Sequence, residues 1–135
     1  MMTLEKGLGK KQMLRVVKLV DFGVYLGSEE EKVLLPKKQV PEGTRIGDEL
    51  EVFLYKDSSD RLIATTAEPA LTLGGVAALT VADTGRVGAF LEWGLEKDLL
   101  LPFKEQTAKV EKGDKVLVAL YVDKSRRLCA TMKVY

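Results

Sequence analysis

The apolar positions of this chain come in short runs, and most of the runs keep a period of two. LRVVKLV (14–20) is rich in β-branched and aliphatic residues and leads directly into DFGVYLG (21–27). There Gly23 interrupts an apolar stretch, as a bulge or sharp bend in a strand does. KVLLP (32–36) is a brief apolar run closed by Pro36. In LEVFLYK (50–56), Leu50, Val52 and Leu54 fall on one side of an extended strand, while Tyr55 shares the other side with Asp57. RLIATT (61–66) follows DSSD, a turn cluster that reads as a hairpin loop. Only KKQVPEGTRIGD (37–48) breaks the rhythm, and its Pro41, Gly43 and Gly47 leave room for no more than a short 3₁₀ turn. The pattern predicts five short strands and no helix of length.

The same pattern then occurs again. GDELEVFLYKDSSDRLIATT (47–66) and GDKVLVALYVDKSRRLCATM (113–132) are identical at 11 of 20 positions, at an offset of 66. LLPKK (34–38) answers LLPFK (100–104) at that offset, and FGVYL (22–26) answers VGAFL (87–91) at an offset of 65. A period of this length is too long for a solenoid unit and suits a small domain. Five short strands, a glycine kink in the first hairpin and a long excursion between strands 3 and 4 describe a closed barrel of OB type, in which closure removes exposed strand edges. The expected fold is all-β, two tandem five-stranded barrels over 1–68 and 69–135. The boundary falls at AEPALTLGG (67–75), punctuated by Pro69, Gly74 and Gly75.

Composition narrows the chemistry. The absence of His removes imidazole acid–base catalysis, His-activated nucleophiles and His-containing zinc sites. The single Cys129 can form neither an internal disulfide nor a thiolate cluster, which fits a reducing, cytoplasmic setting. Cys129 stands where the first copy has Ile63, so it reads as core. GLGK (7–10) lacks the spacing and the Ser/Thr of a phosphate-binding loop. The N-terminal segment has no signal-peptide core, and LTLGGVAALTVA (71–82) is too short to span a bilayer. The expectation is therefore no catalytic residue, no metal, no cofactor and no membrane. Charge is nearly balanced, 21 basic against 20 acidic residues. It is uneven between the copies, with 11 basic and 12 acidic residues in 1–69 but 10 and 8 in 70–135.

DFGVYL, VLLP, GDELEV and the Asp-x-x-x-Arg-Leu of the last hairpin together resemble the S1-type RNA-binding domain. More narrowly, the tandem with LLPKKQVP, VFLYKDS, LEWGLEKDLLLPFKEQ and RLCATM resembles the N-terminal part of the conserved virulence factor B family of bacteria. That resemblance covers about 14–66 and 79–132. It implies further S1-type domains and a winged helix in a complete protein, so that this chain is expected to be a fragment. It also implies RNA contacts at Phe22, Tyr25, Asp57 and Arg61 in the first copy and at Phe90, Asp123 and Arg127 in the second. Two features depart from the family pattern. Val87 stands where the first motif aromatic belongs, and Pro36 and Pro102 stand where the family has a strand-3 His.

Each of these residues also has a plain structural reading. Phe22, between Asp21 and Gly23, fits exposure and base stacking; Tyr25 and Phe90 lie in apolar strands and fit packing equally well. Tyr55 and Tyr121 recur in both copies and fit packing better than stacking. Asp57–Arg61 and Asp123–Arg127 bracket tight turns, where an ion pair and a phosphate-contacting Arg are compatible readings. Trp93 fits either a rim position or an exposed stacking surface. The expected function is a non-enzymatic single-stranded RNA-binding module, with binding weak and salt-sensitive because a near-neutral protein makes few phosphate contacts. The alternative is an adaptor in which degenerate barrels dock on a ribosome or another protein.

Overall fold

The computed structural model describes residues 4–134, and the chain divides into two compact units, Met1–Glu68 and Pro69–Tyr135. Each unit contains a closed five-stranded barrel. The first is built from β1 (Lys11–Val20), β2 (Gly23–Gly27), β3 (Lys32–Pro36), β4 (Glu49–Lys56) and β5 (Leu62–Thr65), in the order β1-β2-β3-β5-β4, with β4 returning to β1. The second repeats this with β6 (Val76–Thr84), β7 (Gly88–Glu92), β8 (Leu99–Pro102), β9 (Lys115–Val122) and β10 (Leu128–Thr131). Neighbouring strands run antiparallel except β3–β5 and β8–β10, which are parallel. The expected all-β pair of OB-type barrels is the observed architecture. Helical structure among the described residues is limited to 3₁₀ turns at Leu4–Gly7, Lys37–Gln39 and Phe103–Glu105, and none of them could cross a membrane.

Period-two alternation decides which side chains face inward. Val16, Val24, Leu26, Val33, Leu35, Val52, Leu54 and Ala64 form one buried cluster inside the first barrel. Burying each Val or Leu contributes about 1.5–3 kcal/mol, which offsets the conformational entropy lost by short strands. Strand β4 goes further than alternation predicts. Phe53 and Tyr55 point to its other side yet are only 1% and 8% exposed, with their rings stacked at a centroid distance of 6.4 Å.

The bend expected at Gly23 has a different origin. The register irregularity lies on the opposite strand, between Val16 and Lys18 of β1, and again between Val81 and Asp83 of β6. Gly23 is required instead by close approach: a Cβ there would come within 2.2 Å of the Leu35 carbonyl oxygen, at φ +151°. Gly88 meets Leu101 O at the same distance, at φ +144°. Each glycine lets the first hairpin lie directly on the strand that follows it.

Candidate nucleic-acid interface

Strand register carries one row of outward residues across each barrel. In the first it runs Lys18–Tyr25–Leu34–Ile63–Tyr55, each directly opposite the next on neighbouring strands. The second barrel aligns Asp83–Phe90–Leu100–Cys129–Tyr121 in the same way. Tyr25, Leu34 and Ile63 are half-buried, as are Phe90, Leu100 and Tyr121. Beyond Lys18 or Asp83 at its first end, each row is an apolar stripe, with Tyr55 and Cys129 buried and the others half-buried. Tyr25 and Phe90, expected at equivalent places, occupy equivalent places.

Phe22 sits at the tip of the β1–β2 hairpin and is 57% exposed. Its ring meets that of Tyr25 edge-on, at 6.3 Å and 88°. The carbonyl of Phe22 accepts a hydrogen bond from Lys37 N at 3.0 Å, which fixes the tip against the 3₁₀ turn after β3. Beside this tip opens a shallow groove of about 440 Å³ whose lining includes Leu19, Asp21, Lys37 and Val40. An exposed ring backed by a second ring, with lysines at 18, 37 and 38 nearby in the fold, can accept the flat face of a base and place cations near its phosphates. The corresponding tip of the second barrel carries Val87, 57% exposed.

The Asp-x-x-x-Arg hairpins are turn-building devices. Asp57 Oδ1 accepts from the N–H groups of Ser59 (2.9 Å) and Arg61 (3.0 Å), and Asp57 N donates to Arg61 O at 2.9 Å. These bonds hold Asp60 in the left-handed region at φ 60°. Arg61 Nε lies 3.2 Å from Asp57 Oδ2, while the Arg61 side chain is 77% exposed. Partial burial pushes the Asp57 carboxyl up, but the Arg61 and Ser59 N–H groups and the Arg61 guanidinium together outweigh it and hold it below its ordinary value.

The second barrel repeats the backbone bonds through Asp123 Oδ1 with Ser125 N and Arg127 N, both at 2.9 Å. Its ion pair is looser, 3.8 Å from Arg127 Nε to Asp123 Oδ2, and that oxygen also accepts from Cys129 Sγ at 3.6 Å. Burial, then the adjacent Asp123 carboxylate, raises the Cys129 thiol to about 11, so it stays protonated and unreactive at neutral pH. Burial, then Cys129, likewise raises the Tyr121 phenol, whose hydroxyl is the buried side-chain polar atom without a hydrogen-bond partner among the described residues.

In the first barrel the expected residues do not form one cluster. Because β5 runs parallel to β3, the Asp57–Arg61 hairpin lies at the end of the sheet opposite Phe22. Strand rise and spacing put the two roughly 20 Å apart. Phe22 and Tyr25 lie together at one end of the stripe, and Arg61 lies towards the other. Tyr55, at the end of the row, is only 8% exposed and stacks on Phe53. Trp93 is only 3% exposed and its Nε1 donates to Lys97 O at 2.7 Å, which makes it a fixed part of the β7–β8 turn. One exposed aromatic escaped the sequence reading: Phe103, 58% exposed, in the 3₁₀ turn after β8. The signal was the one mismatch between LLPKK and LLPFK, which sets Phe103 against Lys37.

The S1 domain family model matches this chain twice, at residues 8–67 and 73–133. Among curated proteins, the chain is similar to the uncharacterized protein YitL of Bacillus subtilis, 31% identical over 127 residues, covering 90% of this chain and 43% of YitL. It is also similar to conserved virulence factor B of Staphylococcus haemolyticus, 30% identical, with coverage of 97% and 46%, and of Staphylococcus saprophyticus, 29% identical, with 93% and 44%. The chain therefore spans less than half the length of these relatives. A crystal structure of a multidomain protein with nucleic acid binding domains, from Streptococcus pneumoniae, superposes with a TM-score of 0.80 at 21% identity, covering 96% of this chain and 47% of that one. Matched over most of its length by two consecutive copies of one family model, the chain belongs to the S1 domain family.

Proposed function

We propose that this chain is a non-enzymatic, cytoplasmic single-stranded RNA-binding module, part of a post-transcriptional or virulence-related regulator. The observation that carries the reading is the Phe22–Tyr25 pair: an exposed ring braced by a second ring at the edge of an apolar stripe, with lysines around it. Aromatic platforms of this kind hold unstacked bases at about 1–3 kcal/mol each and need single strands, because duplex bases hide their faces. The described residues contain no grouping of His, Cys, Asp and Glu suited to a metal ion, and Cys129 is held neutral. The virulence-factor names of the relatives and the nucleic acid binding domains of the structural neighbour agree with the proposal.

Titration of labelled oligo-uridine, oligo-adenine and duplex RNA tests it, at about 50 and 200 mM salt, where counterion release is visible. Single strands should bind more tightly than duplex, and both should weaken as salt rises. Equal affinity for duplex would mean electrostatic adhesion alone. A second reading, a protein adaptor, is favoured by Val76 and Leu117, 54% and 53% exposed on the outer face of β6 and β9. Failure to bind any RNA at the lower salt would select it.

A further inference from the structure

Around the first hairpin and the 3₁₀ turn beside it, the two barrels differ at three neighbouring positions. The first barrel has Asp21 and Phe22 at the tip, facing Lys37 and Lys38; the second has Arg86 and Val87, facing Phe103 and Lys104. The backbone brings each set together in the same way. Gly23 pairs with Pro36 and Gly88 with Pro102, so the residue after each proline stands beside the residue before each glycine. The ring has thus changed sides of one small gap, from hairpin tip to 3₁₀ turn.

We infer that Phe103 is the base-stacking residue of the second barrel, replacing the ring that Val87 lacks. The inference rests on the RNA-binding reading and adds a residue that the family motif does not point to. Three observations support it. Phe103 and Phe22 are almost equally exposed, 58% and 57%, although a free Phe ring is costly to leave in water. Arg86, next to Val87 at the tip, and Lys104, next to Phe103 in the turn, are exposed cations, whereas the first tip includes the acidic Asp21. Cations near an exposed ring suit the phosphates that accompany a stacked base. The neighbouring Glu105 is turned away, its carboxylate accepting from Thr131 Oγ1 at 2.7 Å.

Oligo-uridine titrations at about 150 mM salt decide the matter, with the parent chain and Phe22→Ala run alongside. Phe103→Ala and Phe103→Leu should each weaken binding about fivefold or more, whereas Phe103→Tyr should stay within about twofold of the parent. Thermal midpoints should stay unchanged, since the ring is exposed. If Phe103→Leu binds like the parent, the contact is apolar rather than stacking and the inference fails. If Phe22→Ala weakens binding while Phe103→Ala does not, the inference falls and the RNA reading stands. A parent chain that binds no oligo-uridine removes both.

Discussion

The two barrels share a frame and differ in what they display. Both keep the glycine that lies on the next strand, the proline that opens the 3₁₀ turn, the Asp that builds the last hairpin, and a Thr hydroxyl clipping the final strand to that turn. The clip goes to Gln39 Oε1 from Thr65 at 2.9 Å in one and to Glu105 Oε1 from Thr131 at 2.7 Å in the other. These positions are held by backbone geometry, where few residue types fit. On the outer stripe Ile63 becomes Cys129 and Lys18 becomes Asp83; at the tip Phe22 becomes Val87 and Asp21 becomes Arg86. The tip positions, with Phe22 and Val87 each 57% exposed, are free of such constraints.

The largest effects should come from breaking the shared frame. Gly23→Ala and Gly88→Ala should each cost about 3 kcal/mol or more, because an added Cβ meets a backbone carbonyl that cannot retreat. Amide spectra should show each variant disordering its own barrel; loss of both barrels from either change would mean that the two fold as one. Next in size is the face. At about 150 mM salt, Phe22→Ala should weaken oligo-uridine binding by about 1–3 kcal/mol, more than Arg127→Ala does. The gap should narrow as salt falls, since screened charge terms grow at low ionic strength. An Arg127→Ala that is the worse variant at the higher salt would mean that charge selects the ligand.

Smaller changes are expected at the last hairpins. Asp57→Ala should destabilise by about 1–2 kcal/mol through loss of charge-assisted bonds to Ser59 and Arg61. The folded-state pKa of Asp57 is lowered, so its contribution is full above the ordinary carboxyl value and fades as pH falls through the folded one. Acid melts of the parent and the variant should therefore converge. The smallest effect at neutral pH belongs to Cys129. Its pKa is raised to about 11 from 9.0, so stability is intact below pH 9 and declines as pH rises through 11. Cys129→Ala should flatten that alkaline decline; an unchanged slope would assign it to other groups.

Much of this was legible beforehand, for identifiable reasons. Period-two runs, turn clusters and the internal repeat define the strands, because a one-residue slip would turn each core face outward. The bulges at Val17 and Ala82 left no mark, since a bulge of this kind demands no special residue. The burial of Phe53 was hidden because alternation separates two sides without saying whether the outer one is covered. The separation of Phe22 from Arg61 follows from the parallel β3–β5 pairing, a long-range contact that residue spacing does not encode. Phe103 was missed because a lone aromatic in a turn stands where the other copy has a lysine.

Each cylinder is sealed along a seam registered at one parallel residue pair, Leu34 with Ile63 and Leu100 with Cys129. Proteins part first where local contacts are fewest, and a parted seam leaves two unpaired strand edges facing solvent. In the second barrel one half of that pair carries sulfur, 2% exposed while the seam is shut. The rate at which a thiol reagent reaches Cys129 would therefore report whatever opening uncovers this part of the second cylinder, and a strand bound across the stripe should slow it.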